Sequence, residues 1–347
     1  MLGEEVPLAK LEKTVRTLWA DESGAGKTRA SLMNFAIYSE DLSSLEKNTQ
    51  LLAGITREHS CRALLILNDP GAATMSTRAW ITAHCQLYDG KRSVCCEQLS
   101  FLLEGGGADR VRNVVFSNLE SDLPLVLWWQ GELTDRLDER FCSVLDGLIV
   151  DSSQWRDAAA SLRRILAARE SRKTHFTLGD LSWMRSHVMR VTLAAAFQNR
   201  TLLAALPAMT SLRVTHAPGS RAAALLVAAW VGKQLDASLT RAGSRMAFER
   251  KNAEPLQIEL EVGEANGCPL QALALSGPGV SVSVTRECGS GFVYARTSQG
   301  GAEREEVQPT PHDNDADLIV EQLSRFGGTT RYFEALPLFL QMAEQSD

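Results

Sequence analysis

The chain has 347 residues, of which 44% are hydrophobic and 22% charged, with a formal net charge of −6. At about 150 residues per domain this predicts two or three domains able to bury their own cores, and it excludes a disordered, collagenous or fibrous chain. The mild acidic excess argues against a general nucleic-acid binder.

Leu8, Leu11, Val15, Leu18 and Trp19 recur at helical spacing and predict an N-terminal amphipathic helix, ended by Asp21-Glu-Ser-Gly-Ala-Gly26. Leu32–Tyr38 reads as a strand, 41–58 as a helix and Cys61–Leu67 as a buried strand. Two further strands, Trp80–Tyr88 and Val94–Leu103, join through Asp89-Gly90. A helix follows at 109–119. Leu125–Trp129 is apolar throughout, as a central strand covered on both faces would be. A helix is expected at 133–145, a strand at Gly147–Val150 and a helix at 155–168. This alternation predicts an α/β domain with a mostly parallel sheet and flanking helices.

Asp180 is placed to cap a long helix to Phe197. A strand is expected at 211–215 and a buried helix, capped by Ser220, at 221–239. Beyond Gly243 the texture changes. Ile258, Leu260 and Val262 alternate with Gln257, Glu259 and Glu261, and Val280, Val282 and Val284 with Ser281, Ser283 and Thr285. A period of two with one polar face predicts a smaller, antiparallel, β-rich α+β domain. Residues 300–317 read as a polar loop, and two helices, near 317–326 and 331–344, close the chain. The expected organisation is a helix and Gly-rich linker over 1–30, an α/β domain over 31–242 and the β-rich domain over 243–347.

The seven cysteines, at 61, 85, 95, 96, 142, 268 and 288, contain no C-x-x-C pair or metal-ligand spacing. They predict no metal site and read as scattered thiols of a reducing, cytoplasmic compartment. The adjacent Cys95 and Cys96 suit neither a normal disulfide nor a zinc finger. The uncharged stretch Cys268–Thr285 is broken by Gly277-Pro278-Gly279, so no membrane span is expected.

Glu22-Ser-Gly-Ala-Gly-Lys-Thr28 resembles the end of a phosphate-binding loop, with Asp151 as a possible acidic strand end. Asp21 replaces the first glycine, however, and the preceding segment is helical, so a flexible linker is the better reading. Gly105-Gly-Gly107 is not a dinucleotide fingerprint. No serine elbow or histidine metal motif is present, and no nucleophile, base and acid assemble. The sequence therefore predicts no enzyme and no cofactor. Trp128 and Trp129 point to opposite faces of their strand, near its C-terminal end, where open α/β sheets bind ligands and partners. Trp183, His187 and Arg190 recur on one helix face, the composition of an interface hot spot or of an anion site. Six basic residues between Arg156 and Lys173 form a solvated face.

Several segments, in order, are similar to the OpcA family, the glucose-6-phosphate dehydrogenase assembly proteins. They are Arg29-Ala-Ser-Leu-Met-Asn-Phe-Ala-Ile-Tyr38, His59-Ser-Cys-Arg62, Cys96 with Glu97, Asp122-Leu-Pro-Leu-Val-Leu-Trp-Trp-Gln-Gly131, Leu148-Ile-Val-Asp-Ser-Ser153, Asp180-Leu-Ser-Trp-Met-Arg185 and Ala223–Trp230. The family helix R-L-T-P-W-R reads here Arg185-Ser-His-Val-Met-Arg190, with Val188 and Met189 in place of Pro and Trp. The resemblance implies a non-enzymatic assembly factor or allosteric activator of the dehydrogenase, supporting NADPH supply through the oxidative pentose phosphate pathway. It implies that Trp128, Trp129, Trp183, Arg185 and Arg190 serve the partner surface or its supporting core. It also brings in Cys85, Cys95 and Cys96 as redox candidates, against the plainer reading of buried inert thiols. The alternative class is a nucleotide- or sugar-phosphate-binding protein: a degenerate phosphate-loop enzyme using Lys27, Thr28 and Asp151, or a metabolite sensor.

Overall fold

A computed structural model describes residues 3–20, 27–88, 92–170, 176–242, 245–265, 268–310, 314–325 and 330–345. The Gly-rich segment 21–26, the expected turn Asp89-Gly90 and Arg172 and Lys173 of the basic stretch lie outside the described residues. The chain divides into two compact units. Unit 1 comprises Met1–Arg156, Arg163–Gly179 and Asn314–Phe326, and unit 2 comprises Asp157–Leu162, Asp180–Asp313 and Gly327–Asp347.

Unit 1 carries β1 (Glu4–Glu5), β2 (Lys27–Arg29), β3 (Asn34–Ser39), β4 (Arg62–Asp69), β5 (Ser76–Tyr88), β6 (Arg92–Glu104), β7 (Leu125–Trp129), β8 (Gly147–Val150) and β9 (Thr177–Asp180). They form a nine-stranded sheet in the order β1-β5-β6-β4-β3-β7-β8-β9, with β2 paired to β6. β6, β4, β3, β7 and β8 run parallel. Setting aside the antiparallel β5 and counting from β3, the order is 3-2-1-4-5-6, the doubly wound arrangement of nucleotide-binding sheets. The hydrophobic composition explains which strands lie centrally. Every residue of β3, β7 and β8 is buried, each large apolar side chain contributing about 1.5–3 kcal/mol on burial.

Unit 2 carries β10 (Ser211–His216), β11 (Ser238–Ala242), β12 (Arg245–Glu249), β13 (Leu256–Val262), β14 (Leu270–Gly277), β15 (Val280–Glu287), β16 (Phe292–Gln299) and β17 (Ala302–Pro309). Their order is β11-β12-β13-β10-β14-β15-β16-β17. The pairings are antiparallel except that of β10 with β13. The predicted alternation holds on β15, where Val280, Val282 and Val284 are buried and Ser281, Ser283 and Thr285 are half-exposed.

Several expectations are corrected. The boundary lies at Gly179, not near 242, because β10 is a central strand of the second sheet. The helix Asp315–Ser324 belongs to unit 1, where Val320 O meets His59 Nε2 at 3.0 Å. The helix expected at 133–145 is a single turn, Glu139–Cys142, capped by Asp138, while Arg164 holds the preceding loop through Thr134 O at 2.7 Å. The helix from 180 breaks at Ser186 into Leu181–Arg185 and His187–Ala196, because the Ser186 hydroxyl turns back on Trp183 O at 2.7 Å. The helix from Arg221 ends at Gln234, two residues before Asp236 with its φ of 49°, and residues 238–242 return as β11. Ser220 makes no side-chain capping bond. Part of the expected loop 300–317 is β17, whose polarity is that of an exposed edge strand.

The scattered-thiol reading is also corrected. Cys85 and Cys95 stand opposite each other on β5 and β6 and form a disulfide, as do Cys268 and Cys288. Cys96, one residue on, turns to the other face and stays a buried thiol, with Cys61 and Cys142. Burial pushes the Cys96 thiol above its ordinary range, so it is a poor nucleophile. Non-reducing peptide mapping is expected to link Cys85 to Cys95 and Cys268 to Cys288. Cys61, Cys96 and Cys142 are expected to alkylate only after unfolding.

Candidate functional site

Three arrangements in the structure gather residues singled out in the sequence. The first is a cleft of about 420 Å³ in unit 1, at the C-terminal ends of β3 and β7. This is the switch point of the doubly wound sheet, where such folds place ligands. Its walls are the turn after β3, Ser39 to Ser44, the start of the helix Leu45–Glu58, and the turn Gln130-Gly131-Glu132 after β7. Gly131 has a φ of 77°, which a residue with a Cβ seldom adopts. That turn is pinned twice to the chain after β8: Gly131 N donates to Gln154 Oε1 and Trp155 Nε1 donates to Gly131 O, both at 2.9 Å.

A dinucleotide would place its pyrophosphate at the turn after β3, which needs glycines and free helix N–H groups. This chain has Ser39-Glu-Asp-Leu-Ser-Ser44 there. Asp41 already accepts from Ser43 N at 3.0 Å. Glu40 accepts from the Tyr38 hydroxyl at 2.6 Å and pairs with Arg136 at 3.0 Å. Two carboxylates occupy the place of the anion, so these residues do not fit a dinucleotide. The phosphate-loop reading is corrected as well. Lys27 and Thr28 lie on β2, whereas the loop's Lys and Thr begin a helix, and Asp151 is buried as the cap of the turn Ser152–Gln154.

Trp128 and Trp129 are 1% and 0% exposed. Trp129 stacks on Tyr38, ring centroids 4.0 Å apart, and donates to Glu132 O at 2.9 Å. Trp128, on the other face, is among the residues that line the cleft, and its buried indole N–H has no hydrogen-bond partner among the described residues.

The second arrangement, in unit 1, joins five residues from separate parts of the sequence, Trp19, Arg29, Arg62, Glu97 and Glu120. Glu97, fully buried on β6, accepts from Arg29 Nε at 2.8 Å and Trp19 Nε1 at 2.7 Å, with Arg62 Nη1 at 3.4 Å. Glu120 spans the same two arginines at 2.8 and 2.7 Å. Burial pushes the Glu120 carboxyl up, but hydrogen bonds from Arg29 and Arg62 outweigh this and hold it below the usual carboxylate range. Arg29, Arg62 and Glu97 were legible in the sequence only as separate pieces of one pattern. Glu120 and Trp19 were missed, since no spacing signal links them.

The third arrangement lies in unit 2. Asp180 caps the helix Leu181–Arg185 through Ser182 N at 3.0 Å and accepts from the Tyr332 hydroxyl at 2.9 Å. Burial, and then Asp180, keep that phenol protonated. The break at Ser186 brings Arg190 over the ring of Trp183 at 3.4 Å, and its Nε donates to Ser186 Oγ at 2.9 Å. Trp183 and Arg190 are each 7% exposed, Arg185 is half-exposed and Val191 is 50% exposed. Arg190→Met should cost about 2 kcal/mol in unfolding free energy, the worth of a desolvated cation–π contact, as measured in urea; Arg190→Lys is expected to recover only part of it.

Residues 53–167 match the model of the glucose-6-phosphate dehydrogenase subunit N-terminal domain, and residues 177–336 match that of the C-terminal domain. The chain belongs to the OpcA family of glucose-6-phosphate dehydrogenase assembly proteins. The two matched regions meet between 167 and 177, close to the structural boundary at Gly179. No curated protein matches the sequence. Among solved structures, KijD10, a 3-ketoreductase from Actinomadura kijaniata in complex with NADP and TDP-benzene, is 8% identical with a TM-score of 0.51, over 90% of this chain and 96% of that one. An oxidoreductase from Sinorhizobium meliloti is 7% identical with a TM-score of 0.51, over 91% and 96%. At that identity the likeness is one of fold alone. Among the described residues of this OpcA-family chain, no helix is long and apolar enough to cross a membrane.

Proposed function

We propose that this OpcA-family chain performs no chemistry of its own and acts as an assembly factor and allosteric activator of a glucose-6-phosphate dehydrogenase. The observation that carries the reading is the acidic turn Ser39-Glu40-Asp41 at the switch point of a doubly wound sheet, in a chain that matches both domains of this family. The fold is that of nucleotide-dependent oxidoreductases, and its phosphate-binding turn is occupied by carboxylates. The fold thus serves as a scaffold, and its output is NADPH made by the partner.

In this reading the helices Leu181–Arg185 and His187–Ala196 present Arg185 and Val191 to the dehydrogenase. Trp183 and Arg190 are the buried support beneath them, and Trp128 and Trp129 support unit 1 from its core. Activation then follows from tighter binding to the active arrangement of the dehydrogenase than to the inactive one, since a partner shifts an equilibrium only by that difference. The test is co-elution of the purified chain with its cognate dehydrogenase on size exclusion. Wild type is expected to co-elute, and Arg185→Glu combined with Val191→Asp to elute separately with an unchanged circular dichroism spectrum. Separate elution of the wild type would overturn the reading.

A further inference from the structure

The helix His187–Ala196 has an outer face that the fold leaves uncovered. Its inner residues Met189, Arg190, Thr192 and Leu193 are buried where it packs on β15 and β16. On the outside Val188 and Ala195 are half-exposed, Val191 is 50% exposed and Ala194 is exposed. A surface helix ordinarily turns charged and polar side chains to water. Here Arg190 is the only Asp, Glu, Lys or Arg of the helix, and it is buried over the ring of Trp183. Single apolar side chains on a surface are ordinary, whereas a contiguous row of them marks an interaction face.

The charges around this row carry a second signal. From Leu181 to Leu235 the chain has no Asp or Glu, although it holds 42 acidic residues and a net charge of −6. Half-exposed Arg185 ends the helix before the row, and exposed Arg200 opens the helix after it. Arg200 stands where the helix dipole disfavours a cation, and it joins no ion pair among the described residues. On β17, which Thr192 reaches through Gln308 at 3.0 Å, Arg304 and Glu306 pair with each other at 2.8 Å and cancel. The ten-residue helix is about 15 Å long. The face thus presents a cation, an apolar row and a second cation in line. Leu203, 52% exposed on the next helix, adds a further apolar side chain.

Protein interfaces have this anatomy: a core depleted of charge and a polar rim whose charges set orientation and on-rate. A membrane-inserting helix is a poorer match. It carries Lys and Arg along its polar side and Trp, Phe or Leu on the other, whereas here the outward side chains are Val and Ala and the cations stand at the ends.

We propose that this face docks an apolar patch of the dehydrogenase bordered by carboxylates, one reaching Arg185 and another Arg200. The proposal rests on the assembly reading and adds to it the chemistry of the partner surface. A stable interface covers about 800 Å² on each partner, so the helix forms its core and not its whole extent.

The test is the affinity of the full chain for its cognate dehydrogenase, measured by surface plasmon resonance at several salt concentrations. The wild-type dissociation constant is expected to rise about tenfold between about 0.05 and about 0.5 M sodium chloride, because exposed charge pairs are screened. Arg200→Glu is expected to weaken binding about tenfold at low salt and to flatten the salt dependence. Ala194→Gln changes no charge and keeps a good helix former; it is expected to weaken binding about fivefold and to retain the salt dependence. Circular dichroism verifies that each variant is folded, and the wild-type salt dependence reads the proposal without any substitution. Sedimentation of the chain alone, and its binding to vesicles of equal parts phosphatidylcholine and phosphatidylglycerol, are parallel arms. Dehydrogenase binding that is insensitive to salt, or unchanged in either folded variant, would overturn the proposal and leave the assembly reading standing. Self-association or vesicle binding that Ala194→Gln abolishes would assign the face to a second copy or to a membrane, and would overturn it too. No binding of the wild type to the dehydrogenase would overturn the assembly reading and the proposal together.

Discussion

Glu97→Gln is expected to destabilise unit 1 by about 3–5 kcal/mol, the largest effect of any single substitution considered. The side chain keeps its shape and loses only its charge. Arg29 and Arg62 would then face a neutral amide in a site where Glu97 is fully buried. Breaking a buried ion pair from one side costs this much because the surviving charge stays desolvated without compensation. Glu120 offsets part of the loss, since it touches both guanidinium groups, but its side chain is 40% exposed. Urea unfolding followed by tryptophan fluorescence measures the effect. The same cluster sets an acid limit. The folded-state pKa of Glu120 is depressed, so its contribution is complete above the ordinary carboxylate pKa of about 4.3 and is lost as pH falls through the folded value. Wild-type stability is therefore expected to decline below about pH 4, and the decline to be shallower in Glu120→Gln.

Asn34→Ala is expected to cost about 2–4 kcal/mol by the same measurement. Asn34 is fully buried at the start of β3, and its amide donates to Glu120 O and Leu123 O, each at 2.9 Å, and accepts from Glu120 N at 2.8 Å. One side chain thus satisfies three backbone groups of the turn that leads into β7. Alanine removes that partner from Glu120 N and Leu123 O, both on half-buried residues, while Glu120 O keeps Leu123 N at 3.2 Å; each group left unpaired costs about 1–3 kcal/mol less whatever water can reach.

The doubly wound half of the fold was legible where one physical signal decided it. Leu125–Trp129 is apolar throughout and is a central strand, and the alternation of Val280, Val282 and Val284 marked a half-covered antiparallel strand. The errors came where a distant group overrode the local pattern. Ser186 interrupts a stretch that is helical by periodicity. β10 reads as one more strand of the first domain until β13 and β14 are seen on either side of it. Cys85 and Cys95 pair because the register of β5 on β6 sets them opposite, and no spacing rule announces that. The site shows the same division. Trp183 and Arg190 could be placed on one face from their spacing, but the stacking that buries both depends on the break between them. Burial of Trp128 and Trp129 followed from their strand, whereas the unpaired indole N–H of Trp128 depends on which groups surround it. Glu120 and Trp19 carried no local signal, since their partners lie many residues away.

The measurement that bears most directly on the central claim is the steady-state activity of the cognate glucose-6-phosphate dehydrogenase, titrated with this chain under non-reducing conditions. The expected result is a saturable rise in kcat/KM for glucose 6-phosphate, accompanied by a shift of the dehydrogenase to a larger assembly, while the chain alone shows no turnover. Unchanged kinetics and an unchanged assembly state at saturating concentrations of the chain would contradict it.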